Sequence, residues 1–197
     1  DPLAEAPLYF VKYAEVCFLR AEGALRGWNM GGTAEHFYNE GIRNSYFEDP
    51  ENLSYSEFPQ YIDEYLKKEK PTAYVQKDPM GGEDWQSVTK IGVKWNEADD
   101  REVKLEKIIT QKYIALFPLS TEAWTELRRT GYPKLFPVLN PEDGDGTLDN
   151  GDVIRRIPWL PTDPQGQSIV DRSGLHALGG ADFQGTRLWW DVAAPNF

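Results

Sequence analysis

A single cysteine and two histidines are all that this 197-residue chain offers of the usual nitrogen and sulfur metal ligands. Cys17 has no partner for an internal disulfide, and it sits among Val16, Phe18 and Leu19, as a buried structural thiol would. His36 and His176 lie far apart, and neither has a Cys or His at metal-binding spacing. No run of about 18 apolar residues occurs, so the sequence holds no candidate for a membrane-crossing helix. The opening Asp1-Pro2 does not begin a signal peptide. There is no G-x-S-x-G, no H-E-x-x-H, no phosphate-binding glycine loop and no G-x-G-x-x-G. Acidic residues number 32, so carboxylate pairs are too common for a glycosidase pair to be picked out. Positive charge is also short: the net charge is −11, which disfavours nucleic acid and anionic lipid as partners. Nothing in the residues supports catalysis.

Aromatic residues, by contrast, are plentiful, with seven Trp and ten Tyr. Most aromatics build cores, but exposed ones make flat platforms for sugars and peptides. The chain is organised around Leu105–Pro133. Leu105, Ile108, Ile109, Tyr113 and Leu116 recur at helical spacing and form one apolar stripe. Pro118 stops that helix, and Ser120 is the expected cap of the next. Ala123, Trp124 and Leu127 are expected to face inward, with Trp124 in the core. Gly131 suits a left-handed closing position, and Pro133 prevents continuation. The pair Glu122 and Glu126 reads as a solvated face.

Earlier in the chain, residues 8–26 read as a helix, with Tyr13, Val16, Cys17, Ala21 and Ala24 on one face. Residues 34–47 read as its partner, with Phe37, Tyr38, Gly41 and Ile42 inward. A helix, a Gly/Asn turn and a second helix ending in Asp-Pro resemble one tetratricopeptide unit. One unit cannot bury its own face, so further repeats are expected outside this segment. Residues 57–69 read as a short amphipathic helix with Phe58, Tyr61, Ile62, Tyr65 and Leu66 inward. The stretch 71–100 has weak periodicity, with a short strand expected over Ser87–Val93. Long aromatic-bearing loops of this kind often serve function. Tyr74, Trp85 and Trp95 are therefore the candidate ligand-binding residues. Residues 134–197 form a loop-rich tail that needs a larger body to wrap, with Leu188, Trp189 and Trp190 as its anchors.

The acidic loop Asp143-Gly144-Asp145-Gly146-Thr147-Leu148-Asp149 alternates oxygen-bearing side chains at 143, 145, 147 and 149. That is the pattern of the first half of a calcium loop, and hard oxygen ligands suit Ca²⁺. Leu148 stands where such a loop has its glycine, and no glutamate follows at the twelfth place. Asn150-Gly151 fits a plain hairpin turn with a solvated acidic rim instead.

Four segments, taken in order, resemble the SusD/RagB-like family. They are YAEVCFLRAEGALRGWN followed by YNEGIR, the Leu105–Pro133 pair with its EAWTELRRTGYP, IRRIPW at Ile154–Trp159, and TRLWWD at Thr186–Asp191. The resemblance implies a mainly α fold in which residues 1–197 are the C-terminal portion of a single larger domain. Within it, 8–47 is a tetratricopeptide-like pair, 101–131 a helical hairpin and 134–197 the tail. It implies a non-catalytic surface lipoprotein of the outer membrane that binds oligosaccharide, or peptide, and delivers it to a SusC-like TonB-dependent transporter. It also implies an N-terminal half of the same fold, carrying the lipid anchor and the other repeats. The other reading is a helical-repeat scaffold that binds only protein.

Overall fold

The computed structural model describes residues 9–46, 59–139, 141, 145–159, 165, 168 and 173–197. Its elements are α1 (Tyr13–Leu25), α2 (Ala34–Ser45), α3 (Pro59–Leu66), β1 (Val75–Gln76), β2 (Trp85–Gln86), α4 (Arg101–Ala115) and α5 (Ser120–Thr130). A single further helical turn covers Leu175–Leu178. The fold is mainly α, as the sequence leads one to expect, with one two-stranded antiparallel sheet.

The helix pair α1–α2 is the densest contact, and α4 lies against both. Their facing residues make the core: Ala14, Phe18, Ala21, Phe37, Tyr38, Ile42, Leu105, Ile108 and Ile109. The buried face of α1 is thus rotated from the one expected. Ala14 and Phe18 point inward, while Tyr13 and Val16 face outward together with Leu19. Several apolar faces were available on α1, and the one that α2 covers wins. Gly41 makes the covering possible, because a Cβ there would lie 2.8 Å from the Phe18 ring. Cys17 is buried, as expected. In α3, Ile62 is buried but Tyr61 faces solvent, and Phe58 lies outside the described residues.

Caps follow local chemistry. Thr33 Oγ1 accepts from the His36 amide at 3.1 Å, and Asp100 accepts from the Val103 amide at 2.8 Å. Ser120, expected as a cap, is instead the first residue of α5, with Leu119 before it and no side-chain cap. Gly131 does close α5 in the left-handed region, φ +75°, and its amide donates to Leu127 O at 2.8 Å. The peptide bonds before Pro118 and Pro133 are cis.

A buried ionic seam joins α1, α4 and α5. Lys112, 2% exposed, donates to Glu126 at 2.9 Å and lies 3.8 Å from Glu15. Arg129 reaches both Glu126 and Glu22, and Arg26 also holds Glu22. Glu126 is therefore no solvated-face residue. The apolar stripe cannot show this, because the partners come from three separate helices.

The residues after α5 form no ladder among the described residues. They lie on the helices through side-chain anchors. The Trp124 indole donates to Ile154 O at 2.8 Å, and Arg128 Nη1 donates to Arg155 O at 2.6 Å. Asn196 bonds Glu102 and Thr130, and Arg101 covers the Phe197 ring. Trp124 is only half-buried, so it is not the core residue expected. Its ring is spent on Arg128, whose guanidinium stacks 3.5 Å above it and 4.8 Å from Trp190. Trp189, expected as an anchor, is 88% exposed, while Trp190 takes the anchoring place.

Candidate functional site

The stretch between α3 and α4 carries Tyr74, Trp85 and Trp95. Asp78 holds a turn here, its two carboxylate oxygens accepting from the Met80 and Gly82 amides, each at 2.8 Å. Lys77 pairs with Asp84 across the same turn. The turn folds β1 back on β2, pairing Gln76 with Trp85 and Val75 with Gln86. The Ser87 amide extends the pairing to Tyr74 O at 2.8 Å. The strand is thus two residues at 85–86, not the expected Ser87–Val93.

Alternation along β1 puts Tyr74 and Gln76 on one face, and direct pairing puts Trp85 beside Gln76 on that face. Two of the three candidate residues are therefore brought together. Tyr74 is 57% exposed, and its ring meets Phe136 edge-on at 6.1 Å. Its hydroxyl donates to Gln76 Oε1 at 3.4 Å. Trp85 is half-buried, and its indole N–H is buried with no acceptor among the described residues. The result is an exposed aromatic ridge of Tyr74 and Phe136, with an amide and an indole beside it. Phe136 was not singled out from sequence; only the fold carries it from beyond α5 to Tyr74.

Trp95 does not join them. It is 7% exposed, its ring lies 5.1 Å from Tyr38, and its indole donates to Glu97 at 2.8 Å. The Tyr38 hydroxyl in turn donates to Val93 O at 2.6 Å. Burial pushes the Tyr38 phenol well above its usual range. Trp95 thus corrects the sequence expectation: it is a core residue that fixes the loop to α2.

Of the acidic loop, Asp143 lies outside the described residues. Asp145 turns one oxygen to the Gln184 amide at 2.7 Å and the other to Thr147. Thr147 Oγ1 accepts from the Gly185 amide at 3.0 Å. The Asp149 amide donates to Asp152 at 3.0 Å, and the Asp152 amide returns to Asp149 O, closing the turn at Asn150-Gly151. The Asp145 and Asp152 carboxylates are engaged with backbone donors. Among the described residues no group of three or more His, Cys, Asp or Glu could hold a metal ion.

Similarity to known proteins agrees with this architecture. The SusD-like family profile, described as Susd and RagB outer membrane lipoprotein, matches residues 3–191. A chitin-binding SusD homologue from Flavobacterium johnsoniae is 45% identical with a TM-score of 0.82, covering 96% of this chain and 38% of its own. A SusD homologue from Bacteroides uniformis is 37% identical with a TM-score of 0.80, covering 95% of this chain and 38% of its own. One from Bacteroides thetaiotaomicron is 38% identical with a TM-score of 0.80, covering 96% and 39% respectively. The chain thus spans about two fifths of the length of these solved relatives. A comparison with curated proteins found no match. With the profile running through nearly the whole sequence and these folds superposing, the chain belongs to the SusD-like family of outer-membrane lipoproteins.

Proposed function

We propose that this chain forms part of a non-catalytic nutrient-binding protein at the outer-membrane surface. Its ligand is an oligosaccharide, and the bound ligand is passed to a SusC-like TonB-dependent transporter. The observation that carries the ligand reading is the exposed Tyr74 ring on one hairpin face with Gln76 and Trp85. Sugar rings stack their C–H faces on aromatic planes, and their hydroxyls need nearby donors and acceptors. Gln76 supplies both, and the buried Trp85 indole N–H is a donor in want of an acceptor. The chitin-binding relative supports a glycan over a peptide. Family membership supports the transporter and the surface location.

Phe10, Val11, Tyr13 and Leu19 present an apolar surface at the start of α1 and along it. In this reading it meets further helix pairs of the family fold, consistent with relatives in which this portion is 38% of the chain.

Isothermal titration of the protein against neutral oligosaccharides and peptides tests the proposal, with product analysis after long incubation. Saturable glycan binding without cleavage is expected. Cleavage of the glycan would overturn the non-catalytic reading, and binding to peptides alone would overturn the glycan.

A further inference from the structure

A polar cavity lies at the C-terminal end of α5. It encloses about 290 Å³ between the last turn of α5, Arg155, and the segment Arg187–Pro195. Arginine side chains dominate its wall: Arg128, Arg129, Arg155 and Arg187. Their charges are not equally balanced. Arg129 is neutralised by Glu22 and Glu126. Arg155 and Arg187 share a single carboxylate oxygen, Asp191 Oδ1, at 3.3 and 2.6 Å. Arg128 has no carboxylate within ion-pair reach among the described residues; its donors go to Trp124 O, Arg155 O and Thr125 Oγ1. Among the described residues, three guanidiniums therefore stand against one carboxylate. Arg128 is buried, and the Arg155 side chain is only 18% exposed.

That arrangement is unusual on energetic grounds. Arg128 and Arg155 are largely withdrawn from solvent, while the Arg187 side chain is 40% exposed. Like charges so gathered repel, and the acidic chain elsewhere offers carboxylates in excess. Burial, and the neighbouring Arg155, hold the Arg128 guanidinium below its usual range, although Asp191 pulls the other way. Arg155 bonds Asp191 through Nη1 alone, and the side-chain bonds of Arg187 to Asp191 also leave from Nη1. Each keeps a pair of further N–H donors in the planar fork that suits a two-oxygen anion.

We propose that this cavity is an oxyanion site, with Arg155 and Arg187 as its donors and Arg128 as the supporting charge. It would take a carboxylate, sulfate or phosphate group. The group is either a free ion or the acidic substituent of a sugar. The volume is at the small end for ligand pockets, about the size of one substituted ring at most. With a net charge of −11, long-range attraction of anions is absent, so recognition rests on these short-range donors. The site stands apart from the Tyr74 ridge and does not depend on the function proposed above.

The test is calorimetry and thermal unfolding of the full chain with sodium sulfate, inorganic phosphate, glucuronate and glucose, at ionic strength held constant with chloride. Saturable binding of sulfate or phosphate is expected if the source is a free ion. Saturable binding of glucuronate, but not of the inorganic ions, identifies the acidic sugar as the source. Either result supports the site if R187Q weakens it by about tenfold or more, while R187K, keeping charge but losing the fork, falls between. R43Q, at the exposed Arg43–Asp63 pair elsewhere, is the control and should bind as the parent does. If R187Q fails to fold, R187K and the arginine side-chain NMR signals of the parent protein carry the test. Equal response to glucose and glucuronate, a response that never saturates, or unchanged binding in the Arg187 variants overturns the proposal.

Discussion

The α1–α2–α4 unit and the tail after α5 are held together by different physics. The first buries Phe18, Tyr38, Ile42, Leu105, Ile108 and Ile109 almost completely. The second contributes little to that core beyond Tyr132, and is fixed by single polar anchors: Trp124 to Ile154, Arg128 to Arg155, Asp145 to Gln184, Asn196 to Glu102. Apolar burial is non-directional and shared among many neighbours. A hydrogen bond from one side chain to one carbonyl is not, and its loss is felt locally. Damage to the first unit should therefore lower global stability, while damage to the tail should loosen the tail alone.

The largest effect should come from Phe18→Ala. It removes a fully buried ring that fills the space left by Gly41, and should cost about 3–5 kcal/mol in denaturant unfolding. A loss below about 1 kcal/mol, as for an exposed position, would break the comparison on the side of the core. Next comes Lys112→Met, which leaves Glu15 buried without its cation and Glu126 with Arg129 alone, at about 3 kcal/mol. If this variant were as stable as the parent, the ionic seam would be dispensable and the apolar contacts alone would hold the helices.

Trp124→Ala should cost less, about 1–2 kcal/mol, through the lost hydrogen bond to Ile154 and the lost stack on Arg128. Hydrogen exchange should quicken around residues 153–157 and 187–191 while α1 and α2 keep their protection. Equal quickening in α1 would show that the tail and core are one cooperative unit.

The smallest effect is acid sensitivity. Burial alone pushes the Glu102 carboxyl up, but bonds from Asn196 and Tyr132 more than offset it and hold it below the ordinary range. Glu22 behaves alike, with Arg129 and Arg26 outweighing its burial. A carboxylate depressed in the folded state contributes stability above its unfolded value and loses it as pH falls through the folded one. Both contributions should therefore be present at neutral pH and fade below about pH 4.5, the unfolded value. In Glu102→Gln the loosening of the C-terminal Asn196–Phe197 should no longer track pH in that window, as followed by NMR of the Asn196 amide.

These two regions also differ in how far the sequence reveals them. Periodicity reports burial on one side of a helix, so the positions of α1, α2, α4 and α5 were legible, and the Gly131 closure with them. Periodicity does not choose between two apolar faces, which is why α1 turned Ala14 and Phe18 inward in place of Tyr13 and Val16. Nor does it register charges that find partners across helices, as Glu126 does with Lys112. The tail has no period, and its anchors depend on which carbonyl comes to rest near which side chain. Trp189 and Trp190 are adjacent and chemically identical, yet one is exposed and the other stacks over Arg128. At the candidate site, composition singled out Tyr74 and Trp85. Only the pairing of Gln76 with Trp85 puts them on one face, and only the three-dimensional fold adds Phe136 and withdraws Trp95 into the core.

The claim that most needs testing is that the Tyr74 ridge, lying outside the core, binds glycan. Tyr74→Ala removes an exposed ring whose hydrogen bond is to its near neighbour Gln76, so the thermal midpoint should stay within about 2 °C of the parent. Titration of both proteins with the same oligosaccharide decides the matter. The account predicts saturable binding by the parent and a loss of about tenfold or more in Tyr74→Ala, as expected for one stacking ring. Unchanged affinity in a variant of unchanged stability would contradict it.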